Sequence, residues 1–310
     1  MRYVLATIIP IILVIYSYAS HFYNKPQATV VAQIPDWIEN VALRPNGDLL
    51  LSTIGAAKIY SLNPSSKAEV VAQIHGVNSL FGITQIGHDI FAVAGGNFTD
   101  FVLYNNTMNL SILDFKAGET KPVVQTIFEK SEYGPINGMT SLPDAKHIVL
   151  AADSMRGKIL RMNTKTGHIE VAIKDKELAP SAGAPFPTGV NGLKIFRGYL
   201  YFTSTAHQTL NRVKIDNLGN RNGNYQVICK FQAGFLPDDF VLDSYGNAYV
   251  ACWMDKVVKV TTTGKMTVLS EGLLAGPTAL VLGHGEKSLY AVSAGLGERA
   301  SGGQVITIRL

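Results

Sequence analysis

The chain has 310 residues, 47% of them hydrophobic and only 16% charged, which excludes a disordered polyelectrolyte and is the balance of a folded protein. Its formal net charge of +4 is spread thinly, with no basic stripe, so nucleic acid is not an expected partner. Length alone allows one large domain or two ordinary ones.

Residues 1–19 stand apart. Arg2 gives a short positive start, residues 3–19 are almost wholly apolar, and Ser17-Tyr18-Ala19 offers small residues where a signal peptidase reads. A cleaved secretory signal is the expectation, which places the protein in the secretory pathway, secreted or lumenal. An uncleaved anchor is the alternative, because the run approaches the roughly 17 residues that can span a bilayer. Only that alternative implies stable membrane association. Residues 20–35 read as a tether and a strand, and 36–310 as the folded domain.

From residue 39 onward one unit recurs. A short apolar strand, a turn and a strand rich in aromatic and β-branched residues follow one another, then a third strand and usually a fourth. The first strands begin at Glu39, Phe81, Asn137, Asn191, Asp238 and Pro277, with separations of 42, 56, 54, 47 and 39 residues by subtraction. That spacing fits the roughly 40–50 residues of a four-stranded propeller blade. The second strands are predicted at 49–53, 90–94, 148–152, 200–204, 248–252 and 289–294. The sixth unit ends at Leu310 after its third strand, at 304–308. The segment Val30-Val31-Ala32-Gln33-Ile34 repeats Val70-Val71-Ala72-Gln73-Ile74, the outer strand of the first unit. The expected fold is therefore all-β, a six-bladed β-propeller closed by an N-terminal outer strand that leaves no ragged edge. A β-sandwich, or two small β domains, is the alternative.

Three glycan acceptor sequons, at Asn97, Asn105 and Asn109, cluster in the insertion between the second and third strands of the second unit. Cys229 and Cys252 alternate with apolar neighbours and read as buried free thiols. Neither has a partner at zinc spacing.

In an antiparallel blade the first strand starts, and the second ends, at the same mouth of the propeller. The six strand starts would thus line one end of the central channel. Glu39, Asn137, Asn191 and Asp238 bear oxygens, and a ring of carboxylates and amide carbonyls suits a divalent cation such as Ca²⁺, Mg²⁺ or Mn²⁺. Asn-Gly and Asp-Asp are equally ordinary turn residues. Above this floor, Trp37, Phe81, Met155 and Trp253 would form an apolar, aromatic pocket. Such a pocket suits a hydrophobic small-molecule substrate better than a free sugar acid. His207, at the end of a predicted second strand, is a candidate acid or base on the rim, or a plain surface histidine.

Asn191-Gly192-Leu193 followed by Tyr201, and Pro237-Asp238 with Asp243, Gly246-Asn247 and Val250-Ala251-Cys252, resemble the SMP-30/gluconolactonase/luciferin-regenerating family of six-bladed propellers. The resemblance implies a divalent metal held by Glu39, Asn191 and Asp238, and a substrate contact at Asn137. Two departures are visible: Asp239 stands where the family has glycine, and the glutamate motif reads Trp37-Ile38-Glu39-Asn40. Trp37–Asn40, Asn137-Gly138-Met139, Asn191-Gly192-Leu193 and Gly276-Pro277-Thr278-Ala279 are further similar to a fungal secreted branch of that superfamily. Some members of that branch are hetero-Diels–Alderases of tropolone–sesquiterpenoid biosynthesis. This resemblance implies dehydration of a hydroxymethyl tropolone to a quinone methide and its capture by a humulene-type alkene. A metal-dependent lactonase or esterase and a non-catalytic binding propeller stay open beside it. No nucleophile elbow, phosphate loop or dinucleotide fingerprint occurs.

Overall fold

A computed structural model describes residues 27–63, 67–131, 133–134, 136–184, 186–296 and 302–310. Residues 1–19, where a signal is expected, and 20–26, the first part of the expected tether, lie outside the described residues. Six four-stranded antiparallel sheets are arranged as the blades of a β-propeller. The innermost strands are Trp37–Leu43, Ser79–Gly87, Ile136–Leu142, Val190–Phe196, Leu236–Leu242 and Pro277–Leu282. The sixth sheet runs, from inside out, Pro277–Leu282, Ser288–Ser293, Gln304–Arg309 and Ala28–Gln33. The N-terminal strand pairs Ala28 with Ile308 and Gln33 with Gln304, the arrangement the repeated pentapeptide predicts.

Second strands read as continuous apolar runs because neighbouring blades cover both of their faces. Leu49–Ile54 is buried at every position, whereas the outer strand Glu69–Gln73 is largely exposed. The core lies between blades. Leu50 and Ile59 of blade one pack with Phe91 and Leu113 of blade two. Ile38 and Leu51 pack with Val292 and Val305 of blade six, so the ring is continuous across the chain ends. Cys229 and Cys252 are both buried and free, and burial pushes both thiols up.

One buried ion pair fastens blade one to blade two at the mouth away from the strand starts. Arg44 is 1% exposed. Its Nε and Nη2 donate to the two Asp89 oxygens at 3.0 and 2.7 Å, and Nη2 also donates to the Glu119 carbonyl at 3.0 Å. The guanidinium lies 3.8 Å from the Phe115 ring centroid. Removing one partner strands a buried charge, which costs about 3–5 kcal/mol. Arg44→Ala is therefore expected to lower the melting midpoint by on the order of 10 °C. Arg44→Ala with Asp89→Ala should cost less than the sum of the two single changes. Strictly additive midpoints would show that the pair carries no coupling.

Every inner strand breaks register near its start, between Ile38 and Asn40, Leu80 and Ile83, Ile136 and Met139, Val190 and Leu193, Pro237 and Phe240, and Pro277 and Ala279. A bulge of this kind re-aims a side chain out of the pleat. It explains how Glu39, Phe81, Asn137, Asn191 and Asp238 turn towards the channel. Glycine follows three of them for a steric reason. A Cβ on Gly82 would strike the Asn137 carbonyl, one on Gly138 the Asn191 carbonyl, and one on Gly192 the Asp239 carboxylate. Hydroxyls of neighbouring strands hold the bulges in place. Ser52 donates to the Phe81 carbonyl at 2.7 Å, Thr205 to that of Pro237 at 2.8 Å and Thr278 to that of Ile38 at 2.8 Å.

Candidate functional site

A cavity of about 330 Å³ opens at the mouth where the inner strands begin. Its floor holds Glu39, Asn137, Asn191 and Asp238, the four polar residues expected to converge there. Trp37, Phe81, Met155 and Trp253 also line it. They are the chain's only two tryptophans and two further apolar residues of the expected pocket. The two indoles lie 5.6 Å apart between ring centroids. Pro277, the sixth strand start, is buried outside the wall.

The floor is tied together by hydrogen bonds. Trp37 Nε1 donates to Glu39 Oε2 at 3.0 Å, and Asn137 Nδ2 donates to Oε1 at 3.4 Å. Asn191 Nδ2 donates to Thr205 Oγ1 at 3.0 Å. The Thr205 proton is committed to the Pro237 carbonyl, so this hydroxyl can only accept from Asn191, which fixes the amide orientation. Asn191 Oδ1 is then a buried oxygen with no hydrogen-bond partner among the described residues. Burial, with the Asp239 charge adding to it, raises Glu39 to about 7 against the pull of the Trp37 and Asn137 hydrogen bonds. Burial first, then the charges of Glu39 and Asp239, raises Asp238 well above the usual carboxylate range. The floor therefore holds protons, or a positive group, at neutral pH.

Asp239, where the resembled family has glycine, points the other way. Its Oδ1 accepts from Lys194 Nζ at 2.7 Å and from the Phe240 amide at 2.8 Å, and its Oδ2 from Asn40 Nδ2 at 3.3 Å. Lys194 and Asn40 line the opening at the opposite mouth. The Lys194–Asp239 ion pair thus lies beneath the floor, towards the opposite mouth.

The upper wall comes largely from residues that the blade pattern does not single out. The insertion in blade two forms a small hairpin, Phe98–Thr99 paired with Val102–Leu103. Phe98, Phe101 and Leu103 line the cavity, as do Ser154, Phe186 and Leu236. Phe98 and Phe101 lie 6.1 and 5.9 Å from the Trp37 ring, and Phe98 lies 6.1 Å from Phe81. The signal was present as two phenylalanines flanking Thr99-Asp100, but it sat inside the sequon cluster.

Two expected sites stand elsewhere. His207 is exposed and outside the cavity wall. Its Nε2 lies 3.0 Å from the Ala179 carbonyl, which requires the proton on that nitrogen, and Nδ1 lies 3.0 Å from Ser181 Oγ. Both nitrogens are engaged in fastening a rim loop. Asn109 is 2% exposed within the strand Met108–Asp114, so this fold leaves its sequon no room for a glycan. Asn105 is exposed and Asn97 half-buried.

A model of the SMP-30/Gluconolactonase/LRE-like region matches residues 37–295. The chain belongs to this family. Among curated relatives, a candidate hetero-Diels–Alderase of Sarocladium schorii is 26% identical over 254 residues, 74% of this chain and 60% of that protein. Another from a Phoma species is 25% identical over 283 residues, 81% of this chain and 80% of the relative. The chain thus spans less than two thirds of the first relative. Among solved structures, the calcium-binding protein regucalcin of Agrobacterium tumefaciens superposes with a TM-score of 0.65 at 17% identity, covering 91% of this chain and 93% of that one. At that identity the likeness carries the fold alone. Within this family member, Glu39, Asp238 and the unpartnered Asn191 Oδ1 form an oxygen set of the kind a hard divalent cation takes. Among the described residues no group of three His, Cys, Asp or Glu could hold a metal, so the set depends on the amide.

Proposed function

We propose that the protein is a biosynthetic enzyme of the hetero-Diels–Alderase type, acting on a hydrophobic small molecule. One observation carries this reading: two buried carboxyls, Glu39 and Asp238, lie at the bottom of a cavity walled mostly by aromatic and aliphatic side chains, where burial pushes both towards the protonated form. The relatives' names support the class of reaction.

The first step is a dehydration. The Glu39 carboxylic acid gives its proton to the hydroxymethyl oxygen of a tropolone, the C–O bond breaks, and water leaves. The ring O–H proton returns to the carboxylate, and a quinone methide remains. Glu39 ends the step as it began, which is what general acid–base catalysis requires. The second step joins the quinone methide to a humulene-type alkene by one new C–C and one new C–O bond. It needs no nucleophile. It needs two partners held face to face, and orientation can contribute up to about 7–11 kcal/mol to such a step. Trp37, Phe81 and Trp253 offer flat faces for that.

A second reading is lactone or ester hydrolysis, favoured by the oxygen set on the floor. Glu39, Asn191 and Asp238 are the residues that would hold a divalent cation. When bound, the cation would supply Lewis acidity towards a carbonyl or a departing oxygen.

The deciding assay gives purified protein a hydroxymethyl tropolone with humulene, and separately a panel of lactones, each with and without chelator. Stereoselective adduct above the uncatalysed background is expected. Chelator-sensitive lactone opening, with adduct rate and stereochemistry left at background, would reject the proposal in favour of the second reading.

A further inference from the structure

The blade-two hairpin is not needed to complete the propeller. Its sheet is already four-stranded without it. Its two strands are two residues each, joined by Asp100 and Phe101, both at positive φ of 53° and 61°. A turn of this shape favours Asn-Gly, and a bulky side chain there is disfavoured. The base is nonetheless well fastened. The Asn78 side chain accepts from the Phe98 amide at 2.8 Å and donates to Thr99 Oγ1 at 3.2 Å, and Arg156 donates to Asn105 Oδ1 at 3.0 Å. Only the tip is held by ring contacts alone: Phe101 is 65% exposed, yet its ring faces Trp37 and Phe98.

The cavity is sharply divided by chemistry. Its polar floor lies at the strand starts, while the hairpin contributes carbon only: Phe98, Phe101 and Leu103. A ligand with oxygens at one end has its partners at the floor. A ligand with none finds only carbon to meet along the hairpin and the aromatic wall beneath it. We infer that the hairpin is the subsite for the hydrocarbon partner, and that Phe101 is a specificity-determining residue for that partner. This rests on the two-partner reaction proposed above, which needs a place for each component. An exposed apolar side chain kept in an unfavourable backbone conformation at the mouth of an apolar cavity is explained by such contact with a ligand.

Both tryptophans of the chain line the cavity, so tryptophan emission, excited where tyrosine does not absorb, reports on this site. The experiment titrates the full-length protein and Phe101→Ala with humulene and, separately, with a hydroxymethyl tropolone. Phe101→Ala is expected to weaken humulene binding about tenfold and tropolone binding by no more than about twofold. Phe101→Leu, which keeps apolar bulk, should recover most of the loss. Because Phe101 is exposed, its replacement leaves the propeller core untouched, and the melting midpoint checks this. Equal humulene affinity in wild type and Phe101→Ala, or equal losses for both ligands, would overturn the assignment. Wild type that binds humulene at the hairpin but forms no adduct would instead reject the proposed reaction and leave the subsite standing.

Discussion

Glu39→Gln is expected to slow adduct formation by about 10²–10⁴-fold, the usual contribution of a positioned acid–base group. The amide matches the carboxyl in size and can still accept the Trp37 N–H, so the floor keeps its shape. What it loses is the proton it delivers and takes back. Of the two floor carboxyls, Glu39 is the one raised to about 7, near the pH at which a general acid works best. The same substitution has a second readout. The Glu39 carboxyl binds its proton more tightly in the folded chain, about 7, than at its ordinary value of 4.5. Its contribution to stability is therefore fully present below about pH 4.5 and is lost as pH rises through 7. The loss is roughly 3 kcal/mol at most. In chelator, Glu39→Gln should melt several degrees above wild type at pH 8 and level with it at pH 4. A variant that keeps the wild-type rate while showing this stabilisation would retain Glu39 as a buried acid and remove it from the chemistry.

How much of this was legible in the sequence differs from residue to residue. The blades were, because second strands buried on both faces read as continuous runs and turn residues punctuate them. The polar floor was, because bulge positions demand small or turn-forming residues, and Asn137-Gly138 and Asn191-Gly192 advertise themselves. The upper wall was not. The turn of the blade-two hairpin carries Asp100-Phe101 where a sequence reading expects Asn-Gly, so its strands left no signal. His207 lies in the turn after a second strand that ends at Ser204, and a hydrogen bond to the carbonyl of Ala179, distant in sequence, turns the ring to the rim loop. Asn109 fails as a glycan site for a related reason: a sequon is read from three letters, while its burial depends on the insertion and the strand beneath it.

The largest effect on stability is expected from the chain's own beginning. Deleting residues 28–35 removes the outer strand of blade six and the hydrogen bonds it makes along Gln304–Arg309. It also removes Ile34, 4% exposed, from the cluster in which blade six meets blade one. In an open sheet the loss of an edge strand shortens the sheet by one. In a ring it removes the segment that ties the two chain ends together, and the seam between first and last blades then rests on side-chain packing and a few hydrogen bonds such as that from Thr278 to the Ile38 carbonyl. The expected cost is several kcal/mol, a fall on the order of 10 °C in melting midpoint, and self-association through the bared edge of Gln304–Arg309. Scattering and thermal melts on the shortened protein measure both. Replacing Ala32 by Pro tests the same seam with the chain left at full length. Proline has no amide proton for the strand ladder, so this variant should fall between wild type and the deletion. A deletion variant that stays monomeric and melts with wild type would mean that the packing of blade six on blade one closes the ring without the strand.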